Sequence, residues 1–433
     1  VDEQRRSQLP KLDLWRFRVR WILLSGGITG LHKALKELSL THQYRVPMSS
    51  PDITDAERNA VAAVLETPFL SMGPEYLAFE GAVTELIGVK HAIAVHSGTA
   101  GLHLCVRAMG IESGDIVLTS PFSFMASSNV LLYENALPVF VDVDPSTGNI
   151  DPNQLAQAVR DLMAGGKKAD RWLPRKGTEG KKTLKALLPV DVFGQPPDMD
   201  AIEEVAREFG LPIIEDACEA IGAEYKERKA GTFGDMAVFA FYPNKQMTTG
   251  EGGVVVTDDD QAATLMRALR NQGRGPGDTW LKHTYMGYNY RMDELSAALG
   301  RVQLSRLDEL LKKRQRVANW YTTHLEDLEQ VEQPFIASQT TRMSWFVYVI
   351  RVPAEVDRDA LIHRLAGEDI PARPYFAPIH LQPFMVERFG YREGDYPITE
   401  DLGSRGLALP FSSVMTEDQV VLVCDALRKV LTG

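Results

Sequence analysis

From about residue 50 onward, apolar and polar positions alternate between two rhythms. The stretch "DITDAERNAVAAVLE" has an acidic start and places Ile53, Val61, Val64 and Leu65 at helical spacing. "HAIAVHSGTAGLHLCVRAMG" reads as a short apolar strand, a Ser-Gly-Thr turn and a helix. "DIVLTSP", "LPVFVDVD", "KALLPVDVFG", "LPIIEDA" and "DMAVFAFYP" read as further strands, with "SFMASSNVLLYENA" and "DMDAIEEVAREFG" as helices between them. Strands alternating with helices predict an α/β unit, a mostly parallel sheet flanked by helices on both faces. After about Asp259 the chain turns helical. "DELSAALGRVQLSRLDELLKKRQRVANWYTTHLEDL" carries no proline and predicts one bent helix or two. Beyond it, residues 344–433 read as a smaller α+β unit: strands at "WFVYVIRV" and "LALPF", helices at "DRDALIHRLAGE" and "TEDQVVLVCDALRKVL".

Composition adds limits. The 433 residues are 44% hydrophobic and 24% charged, enough apolar material for a large core. The net charge of −11 argues against nucleic-acid binding, which needs a basic surface. Three scattered cysteines, Cys105, Cys218 and Cys424, make neither a disulfide framework nor a zinc site, and the nine histidines show no metal spacing. No metal is expected, and a reducing cytoplasm is the simplest compartment. Residues 1–45 hold a basic flank and an apolar run, residues 21–31, too short to span a bilayer of about 30 Å. They read as a dispensable extension; a basic amphipathic segment lying on a membrane surface is the alternative. Residues 164–185, with eight Lys/Arg and two acids, read as a solvated loop.

Three strand ends carry the chemistry. Ser97-Gly98-Thr99 opens a helix, where free N–H groups suit a phosphate; an ordinary N-cap is the bland alternative. Asp216 ends a buried apolar strand, where ligands of parallel sheets sit. Lys245 follows another strand, in "FAFYPNKQMTTGEGG", as one ammonium in an apolar, glycine-rich stretch. In a semi-apolar site a lysine becomes a nucleophilic amine. Phosphate cradle, carboxylate and amine are together what pyridoxal 5'-phosphate requires.

From about Val46 to its end the chain resembles the DegT/StrS-type family of sugar-nucleotide aminotransferases. The matching stretches include "LSMGPEYLAFE", "AVHSGTAGLHL", "SPFSFMASSN", "PVDVFGQPPDMDAI", "IEDACEAIGA", "FGDMAVFAFYPNKQMTTGEGG", "GYNYRMDELSAALG" and "RPYFAPIHLQPF". The resemblance implies the aspartate-aminotransferase fold (fold type I). Residues 46–300 would be a cofactor-binding large domain with a seven-stranded sheet, and residues 301–433 a linking helix and small C-terminal domain. Position by position it implies that Lys245 binds the cofactor aldehyde and shuttles the proton. Asp216 would pair with the pyridinium nitrogen. Gly98, Thr99 and Ala100 would hold the phosphate through backbone N–H groups, and Phe124 would stack on the ring. Glu219 stands near the ring where relatives often carry Gln or His. Asn289 would reach the phosphate in the partner subunit of a homodimer with shared sites, and His380 would lie near the sugar. The implied reaction moves an amino group, from glutamate, to a keto group of a nucleotide-activated sugar. The rivals are the same chemistry on another ketone, such as a cyclitol or aminobenzoate precursor, and a cofactor-binding regulator. Two positions depart from the pattern: Ala240 stands where relatives often have serine, and Asp191 where many have histidine. Relatives that dehydrate sugars replace the lysine with histidine, so Lys245 disfavours that branch.

Overall fold

The computed structural model describes residues 44–180 and 182–432. Almost all of the 1–45 extension therefore lies outside the described residues.

Seven short strands form the centre. Leu137–Phe140, Asp115–Thr119 and Thr183–Leu187 make a parallel three-stranded sheet, and Ile214–Asp216, Met236–Ala240, Gly253–Thr257 and His91–Val95 a mixed four-stranded one. Parallel bridges Leu187–Ile213 and Val190–Asp216 join the two at their shared edge. Six strands run one way; Gly253–Thr257 runs against its neighbours. The apolar pattern singles out the six parallel strands and misses this one. Its five residues follow a glycine turn directly and read as part of the loop.

The strands are buried on both faces, and their side chains divide with period two. Ile93, Val95, Val238 and Val255 join Leu102 and Val106 of the helix Gly98–Ala108 in one core cluster. Ala92, Ala94, Phe239, Val254 and Val256 join Phe79 and Val83 of the helix Pro74–Ile87 in another. Gly101 lets the first helix close on the sheet, since a Cβ there would sit 2.8 Å from Cγ1 of Val238. Helix starts are set by side-chain caps: Ser97, Asp151, Asp259 and Asp293 each accept a first-turn N–H, and Thr54 with Glu57 forms a capping box.

The long helical stretch is two helices, Glu294–Ser305 and Leu307–His324, broken at Arg306. The second packs on an antiparallel sheet of Tyr348–Arg351, Gly406–Leu409 and Arg373–Pro374 and on the helix Glu417–Thr432. Val317, Tyr321, Tyr348, Leu407, Val420 and Leu427 form that core, and Val46 is buried in it too. The peptide groups of Arg45 and Met48 bond to Asp369 and Phe411. The start of the described chain is thus fastened to C-terminal elements.

Two expectations need correcting. The helix Asp55–Leu65 buries Val64 but leaves Leu65 63% exposed, beside exposed Phe69, Leu70, Met72 and Leu77. The basic segment is not a free loop: Trp172 Nε1 donates to Asp161 at 2.9 Å, and Arg175 grips both oxygens of Asp395 at 2.5 and 2.7 Å. Buried Asp161, 11 positions back, and half-buried Asp395, 220 positions on, recruit these side chains, which local charge counting does not register. Among the described residues no helix is long and apolar enough to cross a membrane.

Candidate active site

The three strand ends meet in one cavity of about 480 Å³, lined by Ser97, Gly98, Thr99, Phe124, Asp216 and Lys245 among others. At its floor the helix Gly98–Ala108 begins. Its N-cap, Ser97, accepts the N–H of Ala100 at 3.1 Å, so that N–H is engaged. Those of Gly98 and Thr99, in the first turn, have no intrahelical acceptor. Gly98 must be glycine: a Cβ would lie 2.7 Å from that of Ala240 and 2.9 Å from Sγ of Cys218. The small Ala240 fits this close approach, and Ser97 and Thr99 line the cavity beside it.

Alternation along Ile214–Asp216 sends its two acids opposite ways. Glu215 turns into the core and accepts the N–H groups of Gly231 at 2.6 Å and Phe233 at 3.0 Å. Asp216 faces the cavity. Ser127 Oγ donates to its Oδ2 at 2.7 Å and the Cys218 N–H to its Oδ1 at 3.2 Å. Asp191 lies fully buried beside them, with no donor to either carboxyl oxygen. Burial, then the charges of Glu215 and Asp216, push its pKa well above the carboxylate range.

Lys245 follows Met236–Ala240 on a turn closed by its N–H to the Tyr242 carbonyl at 2.9 Å. Its side chain is 12% exposed. Nζ lies 3.3 Å from Oε1 of Glu219 and 3.6 Å from the centroid of the Phe346 ring. The other oxygen of Glu219 accepts the Phe193 N–H at 2.9 Å. Burial raises the pKa of Glu219 even against the pull of Lys245. Behind the turn, buried Arg314 donates to the carbonyls of Asn244, Lys245, Trp345 and Phe346.

An amine, a carboxylate and a helix start with open N–H groups in one cavity of this size fit pyridoxal phosphate: aldehyde, ring nitrogen and phosphate each find a partner. Phe124, 67% exposed, presents its ring to the same space. Two expected residues lie elsewhere. Asn289 is exposed and off the cavity wall, its strand segment bridged to Asn271. His380 is fully buried, Nε2 2.9 Å from Glu400 and its ring against Tyr396, and does not line the cavity. Sequence reasoning missed Ser127, Phe346, Tyr375 and Arg314. Ser127 lies inside the quoted "SPFSFMASSN", but nothing local distinguishes it from Ser128; Arg314 hides in the basic run "KKRQR".

A lysine, an aspartate and a phosphate-type helix start lining one cavity are the set a pyridoxal phosphate enzyme needs. The chain belongs to the DegT/DnrJ/EryC1/StrS aminotransferase family, whose model matches residues 51–428. It is 38% identical over 391 residues to the GDP-perosamine synthase of Caulobacter vibrioides, covering 89% of this chain and 98% of the relative. It is 37% identical over 401 residues to the spore coat polysaccharide biosynthesis protein SpsC of Bacillus subtilis, covering 90% and 97%. Among solved structures, a DegT DnrJ EryC1 StrS aminotransferase from Brucella abortus superposes with a TM-score of 0.77 at 31% identity, over 87% of this chain and 95% of that one.

Proposed function

We propose that this chain transfers an amino group from glutamate to a keto group of a nucleotide-activated sugar, with pyridoxal phosphate as carrier. The observation that carries the reading is the meeting of Lys245, Asp216 and the Gly98–Ala108 helix start in one cavity. A GDP-perosamine synthase and a polysaccharide biosynthesis protein among the relatives support the substrate class.

The cofactor supplies an electron sink and holds the amino group between the two half-reactions. Every other task falls to this chain's own groups. Lys245 is the amine that meets the cofactor, and Glu219 takes the proton that amine must lose before it attacks. Lys245 then moves the proton at the substrate carbon. Asp216, oriented by Ser127 and the Cys218 N–H, anchors the ring nitrogen. Gly98 and Thr99 offer N–H groups to the phosphate, and Phe124 covers the ring. The donor leaves as a keto acid and the acceptor ketone becomes an amine, so no outside oxidant is needed.

The working unit in this reading is a cytoplasmic homodimer with shared sites. Asn289, exposed and outside its own cavity, would serve the partner's phosphate, and the apolar patch of Leu65, Phe69 and Leu70 would be covered. A large unit, residues 46–300, holds the cofactor, and residues 301–433 cover it. His380, buried against Glu400, would act on the sugar side through the packing of its loop.

The test is mass spectrometry of the products from a mixed pool of keto sugar nucleotides and glutamate. Appearance of an amino sugar nucleotide together with 2-oxoglutarate supports the reading. Conversion of glutamate with amination only of non-nucleotide ketones would refute the substrate class.

A further inference from the structure

His103 is a buried histidine that the amino-transfer steps leave unused. It sits in the helix Gly98–Ala108, whose first turn offers N–H groups to the phosphate. Its Nε2 lies 2.8 Å from Oε1 of Glu134, and its Nδ1 3.0 Å from the hydroxyl of Tyr290. Burial lowers the pKa of the ring, which at neutral pH carries one N–H. That N–H goes to the carboxylate, so Nδ1 accepts the Tyr290 O–H. Arg107, one turn along the same helix, donates to the other oxygen of Glu134 at 2.7 Å, and the Tyr288 hydroxyl donates to Oε1 at 3.3 Å. The rings of Tyr288 and Tyr290 stack with centroids 4.7 Å apart, and both lie against the His103 ring. Asn289 stands between them and is exposed, as alternation along an extended segment requires. The backbone hangs on the same frame: His96, next to the Ser97 cap, donates its N–H to the Tyr290 carbonyl at 3.0 Å.

We propose that His103 is the positioning residue for Asn289: through the Tyr290 hydroxyl, and through Glu134 to that of Tyr288, it fixes the segment from which Asn289 reaches the phosphate held by the partner subunit. The inference rests on the shared-site reading and deepens it by naming the group that aims the asparagine. A side chain on an exposed segment keeps a phosphate contact only if its backbone is held to within about 0.5 Å. Two tyrosine hydroxyls on either side of Asn289 supply that hold, and both are fastened to the helix that opens with this subunit's own phosphate turn.

The experiment is a double-mutant cycle on the holoenzyme, read as the dissociation constant of pyridoxal phosphate in equilibrium dialysis. Tyr290→Phe removes the hydroxyl and keeps the stacked ring, and His103→Gln removes the imidazole that receives it. Each is made alone and together with Asn289→Ala. Asn289→Ala should weaken cofactor binding roughly tenfold or more, as expected for a hydrogen bond to a charged group. Tyr290→Phe and His103→Gln should each weaken it about three- to tenfold, and should cost nothing further once residue 289 no longer reaches the phosphate. A loss of the same size with and without the Asn289 side chain means that His103 acts by packing alone, and overturns the proposal; so does wild-type affinity in either single variant. If the glutamine variant does not fold, Tyr290→Phe decides the matter by itself. Wild-type affinity in Asn289→Ala would sink the shared-site reading and the positioning role with it. Because no turnover is measured, none of these results depends on which ketone the protein aminates.

Discussion

The guanidinium of Arg314 donates to the backbone carbonyl of Lys245 at 2.5 Å and to that of Asn244 at 3.2 Å, while its other nitrogen reaches the carbonyls of Trp345 and Phe346, each at 3.1 Å. One buried side chain thus binds the turn carrying the reactive amine to the segment carrying the ring beside it. Burial pulls the pKa of Arg314 down to about 9, so it remains a cation at neutral pH.

Replacing Arg314 with methionine should leave four buried carbonyls without their donor and destabilise the protein by about 3 kcal/mol. It should also loosen Lys245, so that borohydride fixes less cofactor on that residue. Urea unfolding and peptide mapping measure the two effects; a wild-type midpoint with full labelling of Lys245 would show that the contact is incidental.

Asp216→Asn should keep most of the cofactor and lose roughly a hundredfold or more in rate, because a neutral amide no longer holds the proton on the ring nitrogen. Ser127→Ala removes one of the two hydrogen bonds orienting Asp216 and should cost less, about tenfold. Steady-state rates beside cofactor spectra decide it. Near wild-type turnover of Asp216→Asn contradicts the assignment.

Shared sites predict complementation. Lys245→Ala homodimers should be dead and Asn289→Ala homodimers weakened. In a hybrid one site carries both lesions and the other neither. Random re-mixing makes about half the dimers hybrid, so roughly a quarter of wild-type sites should return. If hybrids form and activity stays at the average of the parents, Asn289 serves its own subunit.

Acid should loosen the helix Asp55–Leu65 before the sheet. Burial alone would raise the pKa of Glu57, yet hydrogen bonds from Thr54, Arg306 and Gln303 bring it down to about 2. Folding favours the ionised form, so this stabilisation is whole above about pH 4.5 and fades as pH falls towards 2. Glu57→Gln should lower stability by on the order of 2 kcal/mol at pH 6 and by less at pH 3. Equal losses at both values would deny that Glu57 is the titrating group.

Removing residues 1–43 should leave a folded, active protein, whereas removal through Met48 should cost about 2 kcal/mol or more. The longer deletion takes Val46 out of the C-terminal core and the Met48 carbonyl from Phe411. Thermal melts of the two truncated chains compare them, and equal melting temperatures would show that Val46 adds nothing.

The sequence by itself determined the layered α/β architecture, because apolar periodicity is local and each strand or helix records its own buried face. It also marked Lys245, Asp216 and the Ser97–Thr99 turn, since residues of unusual chemistry at strand ends stand out against apolar neighbours. Tertiary structure alone decided what surrounds them. Glu219 reaches Lys245 across 26 positions, Ser127 reaches Asp216 across 89, and Arg314 reaches the Lys245 carbonyl across 69. Such partners carry no local signature: a serine on a helix or an arginine in a basic run looks the same whether it meets water, a buried carboxylate or a buried carbonyl. The same holds for His380, whose motif suggests a ligand contact but whose ring the fold closes against Tyr396 and Glu400. It holds as well for the antiparallel strand Gly253–Thr257, since direction in a sheet is a relation between strands and is written in none of them.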